Sequence, residues 1–358
     1  MNSDQAVTVS IIINNHNYAA YLAEAIDSAL SQTAVPVEVI VVDDGSTDHS
    51  REIMASYGER IVPVFKANGG QASAVNLGFA HSHGDIVIFL DADDILLPIA
   101  AARVARVFSE RPDTAKVQYR MRVIDAQGHE TGVVRPPPRI PLHSGNLQRQ
   151  EVNFPFDLPW AAMSANAFSA QVLRQILPIP VERYDQAGAD WYLAHVAALW
   201  GEVTSLDEVC ALYRVHGANR YARTNAGLDL DSIRQSIRYA AATRDFLQQF
   251  ADQRQLARPD PILSVSDMAG RLTSLRLCPE RHPISSETVA GLVALGLRAS
   301  ARRFDVHWPT RLMFMGWFVA MGLLPPPAAE KLAEAFFVPE RRRPLNAWLG
   351  HLWRDATA

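Results

Sequence analysis

Cysteine is nearly absent from the 358-residue chain: Cys210 and Cys278 are the 2 present. They form no C-x-x-C pair and stand at no zinc-ligand spacing, so a disulfide framework or zinc site is not expected. A reducing compartment, hence the cytoplasm, is the expected setting. An excess of positive charge is missing too. Lys and Arg total 34 against 38 Asp and Glu, a net charge of −4, which argues against nucleic acid as a partner. The first residues, Met1 to Ala6, lack the basic start and apolar core of a signal peptide. No apolar run is long enough to cross a bilayer; the nearest, Leu312 to Leu324, stops at Pro325-Pro326-Pro327. Repeats, low-complexity tracts, G-x-G-x-x-G and Walker-type phosphate loops are all lacking.

What is there is enough apolar residue, 48% of the chain, for a sizeable core and about two domains. The first part alternates strand and helix signals. Val7 to Ile13, Val37 to Val42, Ile61 to Phe65 and Ile86 to Leu90 read as strands. Tyr18 to Gln32, His49 to Tyr57 and about Ala72 to Ala80 read as helices; Tyr21, Leu22, Ala25, Ile26, Ala29 and Leu30 recur at helical spacing. This order predicts a mostly parallel sheet flanked by helices. Arg135-Pro136-Pro137-Pro138-Arg139 is a loop, since proline cannot donate to a sheet ladder. Ala167 to Gln175 and Asp190 to Trp200 read as helices, and Val209 to Val215 as a last strand. Beyond about Ala226 the pattern turns helical, as in Leu228 to Gln255, so the expected division is 1–225 and 226–358.

The acidic cluster Asp91-Ala92-Asp93-Asp94 directly follows the apolar strand Ile86 to Leu90. The carboxyl end of such a strand opens onto the crevice where open α/β sheets hold ligands. Carboxylates crowded there repel unless a cation or donor neutralises them, and a hard divalent metal carrying phosphate suits the position.

Ser10-Ile11-Ile12-Ile13-Asn14-Asn15-His16-Asn17-Tyr18, Val41-Val42-Asp43-Asp44-Gly45-Ser46-Thr47-Asp48, Asn68-Gly69-Gly70 and Asp91-Ala92-Asp93-Asp94 occur in that order. The series resembles the donor half of glycosyltransferase family 2, the inverting enzymes of GT-A fold. Ser164-Ala165-Asn166-Ala167-Phe168, Ala189-Asp190-Trp191 and Tyr213-Arg214-Val215-His216 resemble its acceptor-side segments. The resemblance covers about the first 220 residues. It implies an α/β GT-A domain, donor half about 1–115 and acceptor half about 116–225, followed by an α-helical extension.

The resemblance also implies roles. Asp44 would accept the imide N–H of a pyrimidine base, flanked by Asn14 and His16, with Asn68 near the nucleotide. Asp91 would meet ribose or sugar hydroxyls. Asp93 would hold Mn²⁺ or Mg²⁺ on the diphosphate, joined by His216, and Arg214 would grip the diphosphate with its fork of donors. Asp190 would be the general base that takes the proton of an acceptor hydroxyl, although an acid at a helix start is also simply stabilised by the helix dipole. Asp48 and Ser46 read as turn residues, and Asp94 as a cap of the helix beyond Pro98. The chain departs from the family pattern at Asn14 and His16, which replace proline and tyrosine, at Ala189, which replaces an acid, and at Val75, which replaces a basic residue.

The expected activity is metal-dependent transfer of a sugar from a nucleotide-sugar donor, UDP-linked, to a glycan or lipid-linked acceptor, in cell-surface polysaccharide synthesis. A catalytically silent nucleotide- or glycan-binding protein is the alternative; an aspartyl phosphotransferase is disfavoured, because its acidic motif follows the first strand. Leu312 to Leu324 reads as a buried helix of the C-terminal region. Its basic flanks leave peripheral contact with the inner face of a membrane open.

Overall fold

The computed structural model describes residues 7–184, 188–217, 219, 227–256 and 263–338. Its first elements are the ones that the periodicity predicts: β1 (Val9–Asn15), α1 (Ala19–Leu30), β2 (Val37–Asp44), α2 (Ser50–Ser56), β3 (Val62–Lys66), α3 (Gln71–Ala80) and β4 (Ile86–Asp91). Ile11, Ile12 and Ile13 of β1 are all inaccessible, as expected for a strand covered on both faces. Leu22, Ala25, Ile26 and Ala29 give α1 its buried stripe. On the other face α3 approaches closely at Gly78, where a Cβ would lie 2.4 Å from Cγ2 of Ile12 and 3.1 Å from Cγ2 of Val42. A larger residue would push the helix off the sheet.

After β4 come β5 (Ile95–Leu96), α4 (Ala100–Glu110), β6 (Thr114–Ile124), β7 (Glu130–Arg135), α5 (Gln148–Asn153), β8 (Asn166–Ser169), α6 (Ala170–Ile176), α7 (Ala189–Ala197) and β9 (Glu202–Arg214). The sheet order is β3-β2-β1-β4-β8-β6-β9-β5, with β7 added beside β6. β3, β2, β1 and β4 are parallel. From β8 onward the pairing changes: β8 runs antiparallel to β4 and β6, and β9 parallel to β6 but antiparallel to β5. The sheet is therefore mixed, and the parallel expectation describes its first half. The stretch read as a helix from Ala167 begins as strand β8, and β9 starts at Glu202, seven residues before the expected Val209.

The remaining helices are α8 (Leu230–Gln253), α9 (Val265–Leu277), α10 (Val289–Arg302), α11 (Trp308–Leu323) and α12 (Pro326–Phe337). The chain forms two compact units that interleave in sequence, where the pattern suggested one boundary near Ala226. The first holds residues 1–152, 158–222 and 242–257; the second holds 153–157, 223–241 and 258–358. The short segment joins the second unit because Asp157 caps α9, accepting from the amides of Val265 (3.0 Å) and Ser266 (3.1 Å). The later half of α8, from residue 242, joins the first through the Tyr184–Thr243 hydroxyl pair (2.8 Å) and the packing of Leu247 and Phe250 with Val152 and Leu199.

Candidate active site

Asp91 closes β4, and the β1–β4 register sets it opposite Asn14. The Asn14 Nδ2 consequently donates to Oδ1 of Asp91 at 2.7 Å, and Nε2 of Gln71, at the start of α3, donates to the same oxygen at 3.0 Å. The Asp91 amide is held by Oγ of Ser164 at 3.0 Å. Burial, then the neighbouring Asp93 and Asp190, push the Asp91 carboxyl up to about 7. The chain turns directly after it, the Asp94 amide returning to the Asp91 carbonyl at 3.0 Å. That turn aims Oδ2 of Asp93 at Nε2 of His216 (3.0 Å) and Nδ2 of Asn219 (3.1 Å). His216 is itself lodged between aromatic rings, 5.6 Å from Tyr18 and 4.7 Å from Tyr21.

Two expectations are corrected here. Asp94 does not cap α4, whose N-cap is Ile99 without a side-chain cap bond. It is buried and accepts the Arg214 amide at 3.0 Å, and burial with Asp93 and Asp91 beside it holds its carboxyl well above the usual range. Arg214 does not reach into the cleft. Alternate residues of a strand face opposite sides, and here Tyr213 lines the cavity while Arg214 lies behind the acidic turn. Its Nε donates to the Asp93 carbonyl at 3.0 Å, Nη1 to the Ala126 carbonyl at 3.3 Å and Nη2 to Glu24 at 2.7 Å.

Asp44 ends β2 beside the turn made by Gly45 (φ 74°), whose missing Cβ leaves room for the Asn68 backbone, 2.6 Å from where that atom would stand. The Asp44 carboxylate collects the amides of Gly69 (2.9 Å) and Gly70 (2.8 Å) and the ammonium of Lys66. Among the described residues Oδ2 carries one of these bonds, which leaves it a lone pair for a further donor. His16 is anchored by Nδ1 on the Asp44 carbonyl at 2.8 Å and meets Asn68 Nδ2 at 3.0 Å. Asp48 and Ser46 do serve the turn: Asp48 accepts from the Ala19 and Ser50 amides, and Ser46 from the Asn17 amide.

Asp190 lies in the first turn of α7, where the helix dipole favours an anion. Burial nonetheless raises its carboxyl to about 6. Ala189 beside it is fully buried, so an acid at that position would be desolvated in the core. Val75 is likewise core.

Seven of the nine candidate residues meet around one cavity of about 360 Å³; His216, like Arg214, is not in its lining and reaches it through Asp93. Asn14, His16, Asp44, Asn68, Asp91, Asp93 and Asp190 line it, as do Tyr18, Gln71, Tyr213 and Asn219, to which the sequence assigned no role. Its lining contains no Lys or Arg among the described residues. No set of three or more His, Cys, Asp or Glu among those residues is arranged to hold a metal by protein ligands alone. Asp93 and His216 offer one carboxylate oxygen and one imidazole nitrogen side by side. That is a partial set suited to a divalent ion that takes its other ligands from phosphate and water.

Residues 10–170 match the family model described as glycosyl transferase family 2. An uncharacterized glycosyltransferase of Nostoc sp. is 34% identical over 237 residues, 62% of this chain and 72% of that protein. One from Rickettsia prowazekii is 38% identical over 132 residues, 37% of this chain and 42% of that protein. The crystal structure of Staphylococcus aureus TarS 1–349 superposes with a TM-score of 0.55 at 16% identity, covering 92% of this chain and 91% of that one; its complex with UDP-GlcNAc gives 0.54 at 15%, with the same coverage. The chain belongs to glycosyl transferase family 2, and its fold is the GT-A fold.

Proposed function

We propose that the protein is a metal-dependent inverting hexosyltransferase. It moves a sugar from a UDP-linked donor to a hydroxyl of a glycan or lipid-linked acceptor in cell-surface polysaccharide synthesis. The observation that carries this reading is the meeting of four carboxylates, Asp44, Asp91, Asp93 and Asp190, around one cavity. A diphosphate entering such a site is repelled unless a cation accompanies it. The UDP-GlcNAc complex of a protein of the same fold agrees with a uridine donor.

The base lies at the Asp44 end, its imide N–H on Oδ2 and its ring against His16 and Asn68. Asn14 and Asp91 receive hydroxyls of the ribose or sugar. Mn²⁺ or Mg²⁺, held by Asp93 and His216, supplies positive charge to the departing diphosphate when bound. Asp190 faces the acceptor: its carboxylate takes the proton as the hydroxyl oxygen forms the bond to the anomeric carbon. The bond from that carbon to the diphosphate oxygen breaks on the opposite side, which inverts the configuration and releases the nucleoside diphosphate. Burial of Asp190 raises its basicity while leaving it ionised at neutral pH.

A panel of UDP-sugars with Mn²⁺, followed by nucleotide release, tests the reading. Release should fall by roughly 10²–10⁴-fold in Asp190→Asn while UDP binding stays unchanged. Binding without turnover of any donor by the unaltered protein would instead identify the silent binder.

A further inference from the structure

The second unit carries a helix with two unlike apolar faces. On α11, Trp317, Phe318 and Met321 are buried, and Phe318 fits against Gly296 of α10, where a Cβ would come within 2.2 Å of its ring. The opposite face is exposed. Trp308, Leu312, Val319 and Leu323 follow one another at helical spacing, with Trp308 71% and Leu323 80% exposed, and exposed Phe304 stands just before them. Of the 10 large apolar residues that protrude from the described chain, 5 fall within 304–323. That is a patch, where single scattered apolar residues need no explanation.

Charge is the second observation. From Val289 to Leu324 the chain holds Arg298, Arg302, Arg303 and Arg311 but one acid, Asp305, already held by Arg303 at 2.8 Å. Arg298 and Arg302 are exposed on α10. The whole chain is acidic, at −4, so this helix pair is locally of opposite sign.

We propose that the exposed face of α11, with Arg298 and Arg302 of α10, docks on an anionic lipid surface. Apolar side chains enter the headgroup boundary and the arginines meet lipid phosphates. The stretch lacks the polar face of an isolated interfacial helix because its other side is packed in the protein and never meets water. The helix lies on the surface without spanning it, since no described helix is long and apolar enough to cross a membrane. A second copy of the chain is the poorer occupant: across a two-fold contact the patch meets itself, and its arginines would repel.

Sedimentation of the full chain with vesicles tests this independently of the proposed activity. The protein should bind vesicles of phosphatidylcholine mixed with phosphatidylglycerol, and binding to phosphatidylcholine alone should be at least about tenfold weaker. Arg298→Gln/Arg302→Gln should lower binding to the mixed vesicles by roughly tenfold or more. Trp308→Ser/Leu312→Ser/Leu323→Ser should lower it comparably, with unfolding temperatures unchanged because these side chains are exposed. Equal binding to both vesicles, binding to neither, or binding that survives both variants yet disappears when the basic run Arg341-Arg342-Arg343, further along the sequence, is changed to glutamine would overturn the proposal.

Discussion

The backbone N–H of Arg214 donates to Oδ1 of Asp94 at 3.0 Å, joining the end of β9 to the acidic turn after β4. With Nε on the Asp93 carbonyl and the guanidinium 4.8 Å from the Tyr21 ring centre, the arginine fixes the turn from behind. Its effect on the ligand is indirect: it sets where Asp93 points.

Replacing Arg214 by Ala should therefore act on stability. Removing the buried guanidinium leaves the Asp93 and Ala126 carbonyls without their donor, while half-exposed Glu24 returns to water; the loss should cost about 2–4 kcal/mol. Thermal unfolding should show a loss of several degrees. Weakened nucleotide binding with an unchanged unfolding temperature would instead place the arginine on the ligand.

Transfer should require ionised carboxylates at the site. Asp190 has its carboxyl at about 6 and Asp91 at about 7, and a base works only when deprotonated. With both required ionised, the rate should fall toward tenfold per unit between pH 7 and 6 and approach a hundredfold loss per unit below 6. A pH profile of kcat/KM for the best donor measures this; a rate flat down to pH 5 would contradict it.

The same shifts give stability a definite slope. Unfolded aspartates lose their protons near pH 4, whereas folded Asp91 keeps its own to about 7. Between those values the folded state binds more protons, so stability declines as pH rises. Asp91→Asn removes this contribution and should raise the unfolding temperature at pH 8 by a few degrees, with little change at pH 4. Equal effects at both pH values would show that the carboxyl is not perturbed.

Lys66 should matter through Asp44. Its ammonium and the Gly69 and Gly70 amides together fix that carboxylate. Lys66→Met should weaken UDP binding by about tenfold, the scale of one lost charge-assisted hydrogen bond. Unchanged affinity in calorimetric titration would detach Lys66 from base recognition.

The parallel half of the fold was legible because β1, β2 and β4 carry continuous apolar runs and α1 has a clean stripe. β6 was not: Lys116, Gln118, Arg120 and Arg122 give Thr114–Ile124 a polar alternation, yet Lys116, Gln118 and Arg120 are buried. Arg120 is satisfied by the carbonyls of Pro136, Pro137 and Ile140, acceptors that no local pattern reveals. The site divides the same way. Residues at strand ends, such as Asp44 and Asp91, could be placed from the strands themselves. Gln71 stands at the start of α3 and Asn219 in the loop after β9; their partners Asp91 and Asp93 lie 20 and 126 positions away, so no local pattern marks them. Arg214 was misplaced by reading its motif as a unit, when adjacent strand residues face opposite ways.

Calorimetric titration of UDP, with and without Mn²⁺, into the unaltered protein and Asp93→Ala bears most directly on the central claim. The account predicts binding strengthened at least tenfold by the metal, and loss of that gain in Asp93→Ala. Affinity indifferent to Mn²⁺, or the same metal effect in both proteins, would contradict it.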